Sequence, residues 1–380
     1  MDINIFGSTG IIGSKTLDII NNYFPDIKVN LLCANTNVKK LIKQIKFYNP
    51  KYVFINDNSK ISFLKKNINQ NIEILNFNEL KSYLHNSKSD LTLLSISGYK
   101  SLNYLESILN NTESLGLVSK EAIVSAGHLF KNFTQKIKNK IYPLDSEHFS
   151  IFKNIDKNNE ELCMVKLTAS GGPFLGKKFN LLRDISFSSA SNHPKWKMGY
   201  KNSIDSATLV NKCLELVEAH YLFDFPFEKL DIVIHPESQI HSIFEYKNYI
   251  YNMNAFKNDM LIPLFAFLNQ KFNYSLNKKK FSIKNNKSLN FYDVKSQEFP
   301  IYKFFKSLNK SNPSNIIKFN VGNEYAVNLF KNKHIKYTEI LKIISKITSI
   351  NMEYKLNNIK DIIDYHKLLE IKISEKFNYY

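Results

Sequence analysis

Three glycines spaced three apart, Gly7-Ser-Thr-Gly10-Ile-Ile-Gly13, follow an apolar run at Ile3–Phe6 and lead into a helical pattern. No other feature constrains the fold of this chain as much. Glycines after a strand let the backbone turn tightly and expose its N–H groups, and the helix that opens next adds the partial positive charge of its N-terminus. Glycines in a turn alone carry little information. Here they stand at the head of residues 1–145, where short apolar runs alternate with amphipathic stretches, as in a parallel sheet covered by helices. The candidate strands are Ile3–Phe6, Val29–Ala34, Tyr52–Ile55, Ile72–Leu75, Leu91–Ser97, Leu115–Val118 and Lys140–Pro143. In that setting the glycine turn predicts a Rossmann-like dinucleotide site.

The second strand bears on which dinucleotide. A carboxylate at its end would receive the 2′-hydroxyl of NAD. This strand ends Ala34-Asn35-Thr36-Asn37 with no acid, and Lys39 and Lys40 follow. Amides and cations suit a 2′-phosphate, hence NADP. The competing reading is that Asn35 to Asn37 cap the next helix.

Beyond residue 145 the pattern changes to a central α+β domain over 146–271. A strand at Leu162–Leu167 runs into the loop Thr168-Ala-Ser-Gly-Gly-Pro-Phe174. A polar loop at His193–Tyr200 and a helix over 206–222 follow, then strands at Ile232–Ile234 and Ser242–Tyr246. Residues 272–299, rich in Asn, Lys and Ser, read as a linker. Apolar spacing of three and four predicts helices over 301–309, 321–331, 337–348 and 359–375, a C-terminal helical bundle over 300–380. The fold class expected is therefore α/β, with these two further domains.

The net charge is +18, from 52 Lys+Arg against 34 Asp+Glu. Lysine is spread along the whole length beside Asn and Ile, which points to solvated faces rather than a groove for nucleic acid. Cys33, Cys163 and Cys213 are too few and too scattered for a disulfide framework, which suits a cytoplasmic protein. No apolar run reaches membrane-spanning length, so no membrane partner is expected, and the strand at Ile3 leaves no room for a signal peptide.

Four further segments carry chemistry. In Leu144-Asp145-Ser146-Glu147-His148, carboxylates separated by one residue would share a face of a flat strand, and hard oxygen donors suit Mg²⁺ or Mn²⁺ rather than zinc. The same residues also read as a helix N-cap with first-turn acids. A third donor can come from the helix over 206–222. Its apolar stripe is Val210, Leu214, Val217 and Tyr221, and Asn211, Glu215 and Glu218 lie on the adjoining stripe beside Lys212. Carboxylates bordering a buried stripe are costly unless paired or bound to a cation; the alternative is a surface Lys212–Glu215 pair. Together with Asp145 and Glu147, a carboxylate from this stripe makes a three-carboxylate metal site the better reading. Ser170, Ser206, Asn211 and Lys212 offer hydroxyls, an amide and a cation to a phosphate-sized anion. Trp196, the one tryptophan, stands with His193 and Met198 in a polar loop that could act as a lid or be anchored to the core.

In this order the segments resemble the 1-deoxy-D-xylulose 5-phosphate reductoisomerase family: Gly7–Gly13, Ser119-Lys120-Glu121, Leu144–His148, Leu167–Phe174, His193–Gly199, Ser203–Glu218, Ile234–His241 and Asn320–Asn328. The resemblance implies a homodimer that uses NADPH and Mg²⁺ or Mn²⁺ (Co²⁺ is compatible) to rearrange and reduce a sugar phosphate. It places the metal on Asp145, Glu147 and Glu215. It places substrate on Lys120, Ser146, Glu147, Ser170, His193, Ser206, Asn211, Lys212 and Glu215, with Lys120, Glu147 and His193 catalytic and Trp196 and Met198 as the lid. Cofactor contacts would come from Thr9, Gly10, Ile11, Ile12, Asn35, Thr36, Asn37, Ser119, Glu121 and Gly199. The chain departs from the family pattern at Ile11, Asn35 and Ser119 on the cofactor side, and at Cys213 beside Lys212. A plain NADP-linked dehydrogenase would share the glycine turn but would not need three carboxylates and a phosphate pocket.

Overall fold

The structure, a computed structural model, describes the chain except residues 131–134, 139, 156–160, 193, 195–198, 277–287 and 378–380. It divides into two compact units. The first comprises Met1–Ala122, Asn132–Phe149 and Asp259–Lys279; the second comprises Ile123–Lys131, Ser150–Asn258 and Lys280–Tyr380.

The first unit is built on seven strands: β1 (Asp2–Phe6), β2 (Lys28–Ala34), β3 (Tyr52–Ile55), β4 (Glu73–Leu75), β5 (Ser89–Leu94), β6 (Thr112–Leu117) and β7 (Ile141–Pro143). Each of the seven predicted strands is present, Tyr52–Ile55 with both its ends and the others with ends shifted by at most three residues. All pairings are parallel, and the order is β4-β3-β2-β1-β5-β6-β7. Strand order therefore reverses beside β1, so the glycine turn leaves the sheet at its topological switch point, where parallel sheets open a crevice. Ile3, Ile5, Leu31, Leu32, Leu93 and Leu94 are fully buried, as expected of strands covered on both faces.

The helix Leu261–Leu268 also belongs to this unit. Its sequence, Leu-Ile-Pro-Leu-Phe-Ala-Phe-Leu, is apolar on every side, so it needs a fully enclosed place. It finds one where Phe265 meets Phe24 with ring centroids 4.9 Å apart and Phe267 meets Tyr142 at 5.6 Å. The sequence pattern runs the second domain through to residue 271, whereas the chain returns to the parallel sheet from Asp259.

The second unit holds a five-stranded sheet in the order β11-β10-β8-β9-β12. Its strands are β8 (Leu162–Ala169), β9 (Leu230–Ile234), β10 (Ile240–Tyr246), β11 (Ile250–Ala255) and β12 (Tyr292–Asp293). Only β8 and β9 run parallel. β11 and β12 lack apolar alternation and were not expected; β12 lies inside the stretch that reads as a linker. The single helix expected over 206–222 is two, Tyr200–Ala207 and Val210–Phe223. Between them Leu209 takes φ +67°, a left-handed conformation that no helix can carry through.

Four C-terminal helices follow, at Pro300–Ser307, Pro313–Lys331, Glu339–Thr348 and Ile359–Lys376, packed around Phe305, Ile316, Phe319, Ile344 and Tyr365. The second begins earlier than its periodicity indicates because Asn312 caps it, accepting from the Ser314 N–H, and Pro313 opens it. Among the described residues no helix is long and apolar enough to cross a membrane.

A buried histidine in this unit makes stability depend on pH. His366 is 1% exposed, with Nε2 3.0 Å from Ser125 Oγ, and burial pushes its pKa down to about 4. An unfolded histidine accepts a proton near pH 6.5, while the folded one stays neutral well below that. The contribution is thus fully present above pH 6.5 and is lost as pH falls towards 4. It amounts to about 2–3 kcal/mol between pH 7 and 4.5. Urea unfolding at those two pH values should show a smaller drop in His366→Gln than in the parent chain. Equal drops in both would remove His366 from the acid sensitivity.

Candidate active site

The glycine turn has the shape that phosphate approach requires. Gly7 has φ +84°, and a Cβ on Gly13 would lie 2.3 Å from the Gly7 carbonyl oxygen, so the first turn of the helix Ile11–Tyr23 sits directly against the end of β1. The adjacent helix Val38–Tyr48 braces the turn: Gln44 Nε2 donates to the Ser8 carbonyl at 2.8 Å and Lys40 Nζ to the Thr9 carbonyl at 3.0 Å. Gln44 was not singled out from sequence; the available signal was a polar residue one turn after Lys40 on the buried side of an amphipathic helix. Thr9 and Ile12 are half-buried and Gly10 is exposed. Ile11 is 65% exposed, an apolar side chain on the outside of the turn.

Asn35, Thr36 and Asn37 lie exposed at the carboxyl end of β2. The capping alternative holds for Asn37, whose Oδ1 accepts from the Lys40 N–H at 3.1 Å. Asn35 is not a cap; its Oδ1 accepts from Asn56 Nδ2 at 3.0 Å. Ser119 is buried, with Oγ 3.0 Å from that of Ser101, and Glu121 is half-buried on the first turn of the helix that opens at Lys120.

The acidic segment differs from its expected setting. β7 ends at Pro143, and Asp145 stands immediately before the helix Ser146–Asn154, where its carbonyl accepts the Phe149 N–H at 2.8 Å. The two acids therefore do not share a strand face; they sit at a helix start, as the capping reading had it, where the helix dipole favours negative charge. That position does not use up their oxygens on the helix alone. Lys120 Nζ is 2.6 Å from Asp145 Oδ2, with both side chains largely buried, and Ser146 Oγ donates to Glu147 Oε2 at 2.5 Å. Lys120, Asp145, Ser146 and Glu147 thus gather at the carboxyl ends of β6 and β7.

In the second unit, β8 runs into Ser170-Gly171-Gly172. Gly171 and Gly172 take φ +80° and +67°, and the Gly172 N–H donates to Ser170 Oγ at 3.2 Å. A Cβ on Gly172 would fall 2.8 Å from Ala207 Cα. Only glycine lets this loop lie flush on the end of the helix Tyr200–Ala207, which carries Ser206. The left-handed Leu209 then redirects the chain into Val210–Phe223, whose first turns carry Asn211, Lys212 and Glu215.

That helix is buried on nearly all sides instead of along one stripe. Lys212 is 8% exposed, Glu215 1% and Glu218 4%. The Lys212–Glu215 pair exists, with Nζ 2.7 Å from Oε2, but it is not at the surface, and Asn211 Nδ2 donates to the other carboxylate oxygen. Burial of a charged pair is costly, which makes this pair a candidate for functional use. Asp205, also missed from sequence, anchors the segment: its buried carboxylate accepts from Lys201 Nζ and Asn323 Nδ2, each at 2.8 Å. Its place one residue before Ser206 was the signal. Gly199 caps Tyr200–Ala207 and is exposed; His193, Trp196 and Met198 lie outside the described residues.

The donors are hard carboxylate oxygens: Asp145 stands beside the Lys120 ammonium, Glu215 beside that of Lys212, and Glu147 accepts from the Ser146 hydroxyl; hard oxygen donors of this kind fit a divalent cation of the Mg²⁺ class.

Comparison with known proteins agrees with this architecture. Residues 3–127 match the 1-deoxy-D-xylulose 5-phosphate reductoisomerase family profile, residues 141–223 match that family's C-terminal domain, and residues 257–370 match its DXP reductoisomerase C-terminal domain. The curated 1-deoxy-D-xylulose 5-phosphate reductoisomerase of Pelagibacter ubique is 35% identical, covering 98% of each chain; that of a Sulfurihydrogenibium species is 37% identical over 99% of each. Among solved structures, the Zymomonas mobilis 1-deoxy-D-xylulose 5-phosphate reductoisomerase in complex with NADPH superposes with a TM-score of 0.87 at 29% identity, covering 98% of each chain. A DOX-P reductoisomerase in complex with NADPH, fosmidomycin and magnesium gives 0.88 at 26% identity, covering 99% of this chain and 98% of that one. With profiles of one family matched in order along its length and curated relatives above 30% identity over nearly all of it, the chain belongs to the 1-deoxy-D-xylulose 5-phosphate reductoisomerase family.

Proposed function

We propose that this protein converts 1-deoxy-D-xylulose 5-phosphate into 2-C-methyl-D-erythritol 4-phosphate, an NADPH- and divalent-metal-dependent step of non-mevalonate isoprenoid precursor synthesis. The observation that carries this reading is the buried Lys212–Glu215 pair with the half-buried Asn211 beside it, set on the helix that follows the Ser170–Gly172 loop and Ser206. It supplies an anion-binding cation and a metal-binding carboxylate within four residues of each other, which a plain dehydrogenase would not need.

Asp145, Glu147 and Glu215 would hold Mg²⁺ or Mn²⁺, with Co²⁺ as a further candidate. When bound, the cation supplies Lewis acidity to the substrate's carbonyl and adjacent hydroxyl, and NADPH supplies the hydride. The chain's own residues bind and orient. Ser170, Ser206, Asn211 and Lys212 grip the phosphate end, a remote contact whose binding energy fixes the reacting carbons in position. Ser146, Glu147 and His193 line the reacting end. Lys120, held at Asp145, is the ammonium placed at the reacting hydroxyl, able to hold or pass its proton. Trp196 and Met198 close over substrate and exclude water. Thr9 to Ile12 would take the pyrophosphate, Asn35 to Asn37 the 2′-phosphate end, and Ser119, Glu121 and Gly199 the rest of the nucleotide. In this division of labour residues 1–145 serve the nucleotide, apart from Lys120 and Asp145 at the reacting end; the segment beyond them serves metal and substrate, and residues 300–380 form the supporting helical part.

We further propose a cytoplasmic homodimer. The three cysteines are free thiols, as a reducing compartment keeps them. β11 is an edge strand with Ile250, Tyr251 and Met253 about half exposed; such an edge is normally covered. Sedimentation of the purified protein at twice the monomer mass would agree, and a monomer at micromolar concentration would not.

The competing dehydrogenase reading is separated by chelation. Exhaustive treatment with EDTA should lower turnover on the order of a thousandfold, because Lewis-acid stabilisation supplies several kcal/mol. Added Mg²⁺ or Mn²⁺ should restore it. Turnover that survives chelation would return the chain to the metal-independent class.

A further inference from the structure

The C-terminal helices border an open polar cleft that lies entirely within the second unit. It measures about 860 Å³ and lies between the start of the helix Pro313–Lys331 and the segment at 349–355. On its wall is Lys318, only 6% exposed. The Lys318 ammonium donates to the Ile350 carbonyl at 3.1 Å, which occupies one of its three N–H groups. Among the described residues no carboxylate shares its charge, and burial holds the ammonium below the ordinary lysine range. A buried cation facing a neutral carbonyl is an expensive arrangement, whereas a methionine or leucine would fill the same space without the desolvation cost.

The rest of the lining is that of an anion receptor. Ser314 is buried beside Lys318, Asn315 and Asn351 add amides, and Lys355 adds an exposed second cation; Glu353, the one acid of the lining, is exposed and solvated. The volume exceeds what a lone oxyanion needs and falls within the range of small-molecule sites. We propose that this cavity binds a small phosphate-bearing metabolite, its phosphate on Lys318 and Ser314 and its organic part towards the 351–355 segment. None of these residues belongs to the catalytic machinery, so the proposal stands or falls independently of the reaction assigned above.

Thermal unfolding of the full chain tests it, with inorganic phosphate, glycerol 3-phosphate and glycerol as probes. Because the catalytic phosphate grip would also respond, the measurement is made in Lys212→Gln and in Lys212→Gln/Lys318→Met. Millimolar glycerol 3-phosphate should raise the Tm of the first by a few degrees and leave the second unmoved. Inorganic phosphate giving the whole shift would identify the anion head as the recognised group, and a larger shift with glycerol 3-phosphate would identify the ester. The same shift in both variants, no shift in either, or an equal shift with neutral glycerol would each overturn the site. Lys318→Met by itself should fold and keep its turnover within about twofold, since an apolar side chain of similar length replaces a buried charge.

Discussion

Glu215→Gln should reduce kcat on the order of a thousandfold while the dissociation constant for NADPH stays within about twofold of the parent value. The substitution keeps the length and shape of the side chain and removes one negative charge. Glu215 is 1% exposed, with Lys212 Nζ at 2.7 Å on one oxygen and Asn211 on the other, so its charge cannot be replaced by water. A neutral amide binds a hard divalent cation poorly, and the loss falls on the step that needs the substrate's oxygens polarised. The variant also strands the Lys212 ammonium, which should cost about 3 kcal/mol of stability; a melting curve run beside the kinetics shows whether the fold is kept. Stopped-flow or steady-state nicotinamide absorbance measures the rate, and nicotinamide fluorescence the cofactor affinity. A folded variant turning over within tenfold of the parent would take this helix out of the metal site.

The opposite separation is expected of Gly13→Ala. Its new methyl would lie 2.3 Å from the Gly7 oxygen and 2.7 Å from Ser8 Cα, both backbone atoms that cannot swing aside. The first turn of the helix must move away from the end of β1, and the N–H groups that would face the pyrophosphate lose their aim. NADPH binding should weaken on the order of a hundredfold, about 2.7 kcal/mol. Substrate-phosphate binding should change little, because Ser170, Ser206, Asn211 and Lys212 lie in the other unit. Nicotinamide fluorescence titration decides: an affinity within twofold of the parent would mean that the turn holds no dinucleotide.

Much of the first unit was legible in the chain. Seven apolar runs became seven strands, because the inner strands are buried on both faces over most of their length and so show as continuous apolar stretches, while the edge strand β4 is buried only at Leu75. The acids at 145 and 147 and the Asn211–Lys212–Glu215 group were visible as residue types, and their two bland alternatives were resolved in different ways. Asp145 does precede a helix, while the Lys212–Glu215 pair turned out to be buried. Three features were hidden. Leu209's left-handed conformation lies between two segments that are each good helix, so local periodicity runs straight across it. β11 and β12 carry no alternation because they are edge strands held by their neighbours' backbone groups, which no side-chain pattern records. Gln44 supports the glycine turn from a helix more than thirty residues later.

What the sequence alone determined is the identity of the parts: a glycine turn after a strand, two acids beside a serine, and an amide, a cation and a carboxylate along one helix. Those follow from spacing, which fixes what the backbone can do within a few residues. Only the tertiary structure decided that the helix Leu261–Leu268 returns to the parallel sheet, that Gly172 seats its loop on Ala207, and that Lys212 and Glu215 share a buried site. The reason is that burial depends on which surfaces meet, and an all-apolar helix or a charged pair carries no local mark of the surface that will cover it.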